Sequence, residues 1–119
     1  MSGEQVGIEI KEEGEVIIIS VIGELTLLDA PQLKKTVDDL VAKQKKIFLF
    51  DFEQLSFLDS SGVGLLLRFH AQLTKLNGRI AFMNFHKSVA NTMQKALPRH
   101  IREACYFETK DNALKYLTT

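Results

Sequence analysis

Phe57-Leu58-Asp59-Ser60-Ser61-Gly62-Val63-Gly64-Leu65-Leu66-Leu67 is the stretch on which the fold reading turns. It sets hydroxyls and glycines at the mouth of a strongly apolar helix that runs to about Leu76, where Asn77-Gly78 supplies a C-terminal stop. Strand-like runs stand on both sides. Ile47-Phe48-Leu49-Phe50, inside Lys46–Phe52, has the length of a buried strand ending at Asp51, and Ile80–Phe85 reads as the next strand.

Working outward, Val6, Ile8 and Ile10 alternate with Gly7, Glu9 and Lys11, the period-2 pattern of an edge strand with one wet face. After the turn signal Glu13-Gly14, Val16 to Ile22 is β-branched and apolar on both faces, which predicts a central strand covered on both sides. Asp29-Ala30-Pro31-Gln32 is a helix start, with Asp29 as cap and Gln32 as its capping-box partner. Leu33, Val37, Leu40 and Val41 then repeat at helical spacing opposite Lys34, Lys35, Asp38 and Asp39. A strand, helix and parallel strand in this order require a right-handed crossover, which fixes the side of the sheet on which the helix lies.

Toward the C-terminus, Ser88 is placed to cap a third helix carrying Val89, Met93, Ala96 and Leu97, which Pro98 ends. A short strand Cys105-Tyr106-Phe107 and a tail helix with Ala113, Leu114 and Leu117 inward complete the chain. The alternation predicts an α/β fold in one domain over residues 1–119, with its core at about 6–117. Its sheet is mixed and mostly parallel, with about four to five strands and about four helices.

Composition narrows the function. The 119 residues carry 15 basic and 15 acidic side chains, so no basic excess is available to hold a nucleic-acid backbone. The cluster Lys43, Lys45 and Lys46 reads as a solvated connection. One cysteine, Cys105, forms no internal disulfide, and no Cys/His spacing fits a zinc site. Met1–Gly14 lacks the apolar segment of a signal peptide, and the apolar runs fall well short of the roughly 20 residues needed to span a membrane. The expectation is a cytoplasmic protein in a reducing compartment, with no cofactor, no metal and no membrane insertion.

Helix N-termini concentrate unpaired N–H groups and the positive end of the macrodipole, so a phosphate on Ser60 would sit in a favourable field. The competing reading is that Ser60 or Ser61 merely caps the helix while the glycines allow close packing. Other chemistries fail on composition. Gly-x-Ser-x-Gly is absent, and no histidine is placed to activate a serine. Leu67 stands where a dinucleotide fingerprint needs its third glycine. A phosphoaspartate receiver needs an acidic pair after its first strand, and Ile22-Gly23-Glu24 offers little. His70, His86 and His100 are too scattered to read as metal ligands.

Gly23-Glu24-Leu25 after a buried strand, the apolar strand 47–50, and Phe57-Leu58-Asp59-Ser60-Ser61-Gly62-Val63-Gly64 together resemble the STAS domain of bacterial anti-sigma factor antagonists. The resemblance extends over roughly Val6 to Leu117. It implies a non-enzymatic switch that binds an anti-sigma factor serine kinase of the GHKL type and thereby frees a sigma factor for transcription. It further implies that Ser60 is the phosphoacceptor, that a serine phosphatase reverses the modification, and that Asp59, Ser61 and Gly62 shape the loop entering the kinase. Val63, Gly64, Leu65 and Phe69 would extend the partner surface along the helix. The family often has aspartate after Gly-Glu-Leu in a partner-facing loop; here Thr26 stands there.

A second reading keeps the fold and changes the role. The chain would then be a STAS scaffold subunit of a membrane-associated lipid or solute transporter or other signalling assembly, with Ser60 only capping its helix. The helix is apolar around much of its first half, through Val63, Leu65, Leu66, Leu67 and Phe69, which fits either a deeply covered helix or a docking patch.

Overall fold

The computed structural model describes residues 6–119, so the reading of Met1–Gly14 falls in part, at residues 1–5, outside the described residues. Strand β1 (Gly7–Glu13) runs antiparallel to β2 (Val16–Leu25), joined through Gly14 at φ +60°. Helix α1 (Ala30–Ala42) returns the chain to β3 (Ile47–Asp51), which lies parallel to β2. Next come β4 (Leu55–Leu58), α2 (Ser60–Lys75) and β5 (Arg79–Met83), the last parallel to β3. Helices α3 (Lys87–Ala96) and α4 (Arg99–Cys105), strand β6 (Tyr106–Phe107) and α5 (Lys110–Thr118) finish the fold. The strand order is β1-β2-β3-β5-β6, with β4 pairing with β2 off this path.

This is the expected α/β architecture with its mixed, mostly parallel sheet, carrying six strands and five helices among the described residues. β4 and α4 are the additions. Cys105 ends α4 instead of starting the last strand, and burial there pushes its thiol pKa up.

The sheet separates two cores. On one face α1, α2, α3 and α4 cover Ile17, Ile19 and Val21 of β2 and an aromatic group of Phe48, Phe50, Phe52, Phe69 and Phe82. On the other, Ala113 and Leu117 of α5 cover Val16, Ile18, Leu49, Ala81 and Met83. Covering from both sides is why β2 and β3 are continuous apolar runs and not alternating ones. Phe50 stacks on Phe69 with centroids 5.7 Å apart and an interplanar angle of 7°. Such pairs add about 0.5–1.5 kcal/mol to ordinary burial.

The helix ends explain themselves individually. After α2, Asn77 takes φ +58°, and Gly78 follows because an added Cβ would lie 2.2 Å from the Lys46 carbonyl oxygen. Asp29 does occupy the cap position of α1, but its side chain makes no capping hydrogen bond. The cap position of α3 belongs to His86, not to Ser88, whose hydroxyl donates to the Ser56 carbonyl at 3.2 Å. Among the described residues, no helix is long and apolar enough to cross a membrane.

Candidate functional site

The geometry around Ser60 begins with a fork in β2. Its residues Ile17–Ser20 pair with β3, and beyond them Gly23–Leu25 pair with β4. The register shifts between Gly23 and Glu24, where Gly23 takes φ +96° and the Ser56 hydroxyl donates to the Gly23 carbonyl at 3.0 Å. The extra residue is Ser56 on β4, opposite the single step Gly23–Glu24 of β2, and an insertion of this kind bends the strand that carries it, just ahead of α2.

Asp59 organises the junction. Its backbone is extended, its Oδ1 accepts from the Gly62 N–H at 3.0 Å, and its Oδ2 accepts from the Leu27 N–H at 3.1 Å. One carboxylate therefore caps α2 and ties down the β2–α1 loop. In that loop the Thr26 hydroxyl donates to Asp29 Oδ2 at 3.1 Å and accepts from the Leu28 N–H at 3.3 Å. Thr26, the residue expected on the partner surface, is half-buried, with its hydroxyl bonded inside the loop. The Asp29 carboxylate also accepts from the Val6 N–H at 3.5 Å, so its role is to hold the loop and not to cap α1.

Because Asp59 is the cap, Ser60 is the first residue of α2 and Ser61 the second. The reading in which either serine caps the helix is corrected on this point. Ser60 is exposed and Ser61 half-buried, and neither hydroxyl has a hydrogen-bond partner among the described residues. The backbone N–H groups of both lie in the helix's first turn, where no intrahelical acceptor exists for them.

The two glycines differ. At Gly62 an added Cβ would lie 2.4 Å from Leu58 Cδ1 and 3.0 Å from the Leu25 carbonyl oxygen, so close packing excludes a side chain there. Gly64 is exposed, and a Cβ there would meet nothing within 4 Å. Packing accounts for the first glycine only.

Leu65 and Phe69 require a correction. They are 7% and 0% exposed, because α2 lies on the sheet between α1 and α3 and turns both side chains inward. The wide apolar stripe is thus a deeply covered helix. Val63 is likewise buried. The exposed apolar side chains near Ser60 lie elsewhere: Leu27 at 68%, Leu28 at 89% and Phe57 at 47%. Leu27 is bound to Asp59 through its N–H, and Phe57 stands on β4 just ahead of the loop. An apolar pair in a loop, outside any helical or strand period, was the signal that could have found them.

No group of three or more His, Cys, Asp or Glu side chains converges among the described residues. Asp51, the position a receiver reading would use, accepts from the Glu53 N–H and from Asn84 Nδ2, each at 3.0 Å.

Solved structures with the same fold include an anti-sigma factor antagonist from Mycobacterium paratuberculosis, with a TM-score of 0.82 at 20% identity over 97% of this chain and 96% of that one. The Bacillus cell fate determinant SpoIIAA in its phosphorylated form gives 0.72 at 23% identity, over 92% of this chain and 97% of that one. The murine anion transporter Slc26a9 gives 0.76 at 17% identity, covering 91% of this chain and 18% of the transporter. At these identities the likenesses speak for the fold. A sequence-family model described as STAS domain matches residues 7–109, from the first residue of β1 to the residue that caps α5. The chain therefore belongs to the STAS domain family.

Proposed function

We propose that this protein is a regulatory switch of the anti-sigma factor antagonist type. It binds an anti-sigma serine kinase through the Ser60 loop, releases a sigma factor, and is turned off by phosphorylation of Ser60. The chemistry is done by the kinase, and this chain is the substrate. The observation that carries the reading is the division of labour at α2: Asp59 does the capping, which leaves the exposed Ser60 hydroxyl without a structural task. The scaffold alternative made Ser60 a cap, and that role is filled.

Phosphorylation would leave the domain itself nearly unaffected. A charge near −2 at a helix N-terminus gains about 0.3–1 kcal/mol from the first-turn amides. Repulsion from the neighbouring Asp59 carboxylate opposes this by a similar amount, since exposed charge pairs interact by about 1 kcal/mol or less. Inside an interface no such balance holds: the phosphate loses water and meets the acidic and nucleotide-phosphate groups of a kinase site. Binding should fall by at least about tenfold, or 1.4 kcal/mol.

The partner surface includes Leu27, Leu28 and Phe57, which flank the loop and give an interface core its apolar anchors. The test is titration calorimetry of the wild type, Ser60→Asp and Ser60→Ala against the kinase, with circular dichroism of each. Ser60→Asp should lose affinity, and Ser60→Ala should still bind and stay on. Equal affinities refute the switch, and phosphopeptide mass spectrometry placing the phosphate on Ser61 or Asp51 refutes the assignment.

A further inference from the structure

We propose that the outer edge of β1 pairs with the same edge of a second copy of this chain, antiparallel, with the two-fold axis passing between the two copies of Ile10. β1 ends the sheet order and, among the described residues, pairs with β2 alone. At seven residues it is a long edge, whereas β6 at the far end has two. Such an edge offers a row of unpaired N–H and C=O groups, a template for another strand. No residue of the Ser60 loop belongs to it.

The first observation is which main-chain groups point outward. Glu13 pairs with Val16 across the two-residue loop Gly14-Glu15, and of these two only Gly14 has a positive φ, +60°. Glycine first in a two-residue loop is the type II′ pattern, whose closing hydrogen bond joins Glu13 to Val16. Hydrogen-bonded and non-hydrogen-bonded pairs then alternate along the ladder. Lys11, Glu9 and Gly7 therefore bond to β2, while Glu12, Ile10 and Ile8 turn their N–H and C=O groups to the free edge.

The second observation is the order of side chains along that edge. Two copies can bond only where outward-facing residues meet outward-facing residues, which leaves symmetric pairings centred on a single residue. Centring on Glu9, Lys11 or Glu12 sets identical charges directly opposite each other, which is destabilising. Centring on Ile10 uses the whole strand. Ile10 then meets Ile10 of the second copy, Ile8 meets Glu12, and Glu9 meets Lys11 in both directions. The Glu9–Lys11 contacts fall in non-hydrogen-bonded pairs, where facing side chains come closest. Both residues are exposed and enter none of the ion pairs formed among the described residues. Ile10 is 49% exposed, although its cross-strand neighbour Ile19 is fully buried.

Charge complementarity therefore selects both the occupant and the register, and the same strand serves on each side of the axis. The two sheets become one continuous sheet. A single strand pair with one apolar contact is a small interface, so the dimer is reversible, concentration-dependent and weakened by salt.

Sedimentation equilibrium of the full chain at low salt, over about 0.05–1 mM, should show a reversible dimer. Glu9→Lys alone or Lys11→Glu alone should weaken dimerisation at least about tenfold, since each sets like charges opposite each other twice. An equimolar mixture of the two variants should dimerise as the wild type does, because one then carries two basic and the other two acidic side chains at these positions. In the wild type, hydrogen exchange at the Ile8, Ile10 and Glu12 amides should slow with rising concentration, while the Lys11 amide, already bonded to β2, changes least. A monomer up to about 1 mM refutes the pairing. A dimer that leaves those three amides unprotected refutes it equally, because the contact then lies elsewhere. Single variants as dimeric as the wild type, or a mixture that stays monomeric, refute the Ile10 register. Should a variant fail to fold, the exchange pattern of the wild type still decides.

Discussion

Replacing Gly62 and Gly64 separately by alanine should move stability in opposite directions. Both lie in α2, two residues apart, and helix propensity alone favours alanine at each by up to about 1 kcal/mol. At Gly64 nothing opposes that gain, because the new Cβ meets no atom within 4 Å. Gly64→Ala should therefore stabilise the fold by about 0.5–1 kcal/mol. At Gly62 the Cβ would lie 2.4 Å from Leu58 Cδ1, which is itself buried, and 3.0 Å from the Leu25 backbone oxygen. Overpacking of this kind costs about 1–3 kcal/mol, which outweighs the smaller propensity gain in a first turn and leaves a net loss of about 1–2 kcal/mol. Urea denaturation followed by circular dichroism would read both, and thermal midpoints should separate by roughly 5–10 °C in total. A shift of the same sign for both variants would refute the packing argument. Gly64 then acquires a functional test. If a bare backbone at this exposed position serves close approach of the kinase, Gly64→Ala should bind at least about tenfold less tightly while being the more stable protein. Unchanged affinity would remove Gly64 from the partner surface.

Three further outcomes are expected. Asp59→Ala should lose the bonds to the Gly62 and Leu27 N–H groups and cost about 1–3 kcal/mol, whereas Asp59→Asn keeps a good cap and most of the stability; hydrogen exchange at Leu27 should accelerate in the alanine variant. Leu28→Ser should leave the urea midpoint nearly unchanged and weaken kinase binding by about 1–4 kcal/mol, whereas Phe69→Ser, in the aromatic core, should cost about 3–5 kcal/mol of stability. Burial, and secondarily the nearby His100, lowers the pKa of His70, so the unfolded chain binds its proton more readily than the folded one; His70 should cost stability as pH falls from about 7 through 6, and His70→Gln should flatten that part of the stability–pH curve.

The sheet was legible where pattern and burial coincide. Val16–Ile22 reads as a strand covered twice because its side chains are apolar at every step but Ser20, and Asn77-Gly78 reads as a stop because both conformation and crowding demand those residues. β4 was not legible. Its four residues Leu55–Leu58 bury only the two ends, so they show no period of two, and their pairing with a strand thirty residues earlier skips Ser56. α4 escaped for another reason: it has seven residues, and Pro98, which ends α3, also occupies its cap position. Ser88 looked like a cap because the residue type is right, yet the Ser56 carbonyl takes its hydroxyl. At the site, the residue types were readable while the facing of α2 was not. An apolar stripe that wide fits equally a helix wedged between α1 and α3 and one with a free face, and only packing separates the two.

The fork in β2 would let the proposed modification of Ser60 proceed without disturbing the core. Through Ser20 this strand is locked into the main sheet beside β3; after Gly23 it belongs to a small parallel pair with β4. Ser60 follows that pair by two residues, exposed, while Leu58 just before it and Gly62 just after it are buried. Burial on both sides fixes the loop's position, and Asp59 fixes its shape through two backbone N–H groups that do not involve Ser60. A group added to the Ser60 oxygen therefore displaces no packed atom and breaks no hydrogen bond among the described residues. Its free-energy effect on the isolated domain reduces to exposed electrostatics of about 1 kcal/mol, a small part of the several kcal/mol that hold a domain of this size. The same charge would be screened far less where a partner excludes water, so under the proposed switch a rigid, pre-shaped loop would convert phosphorylation of Ser60 into a large change in affinity while the fold stays fixed.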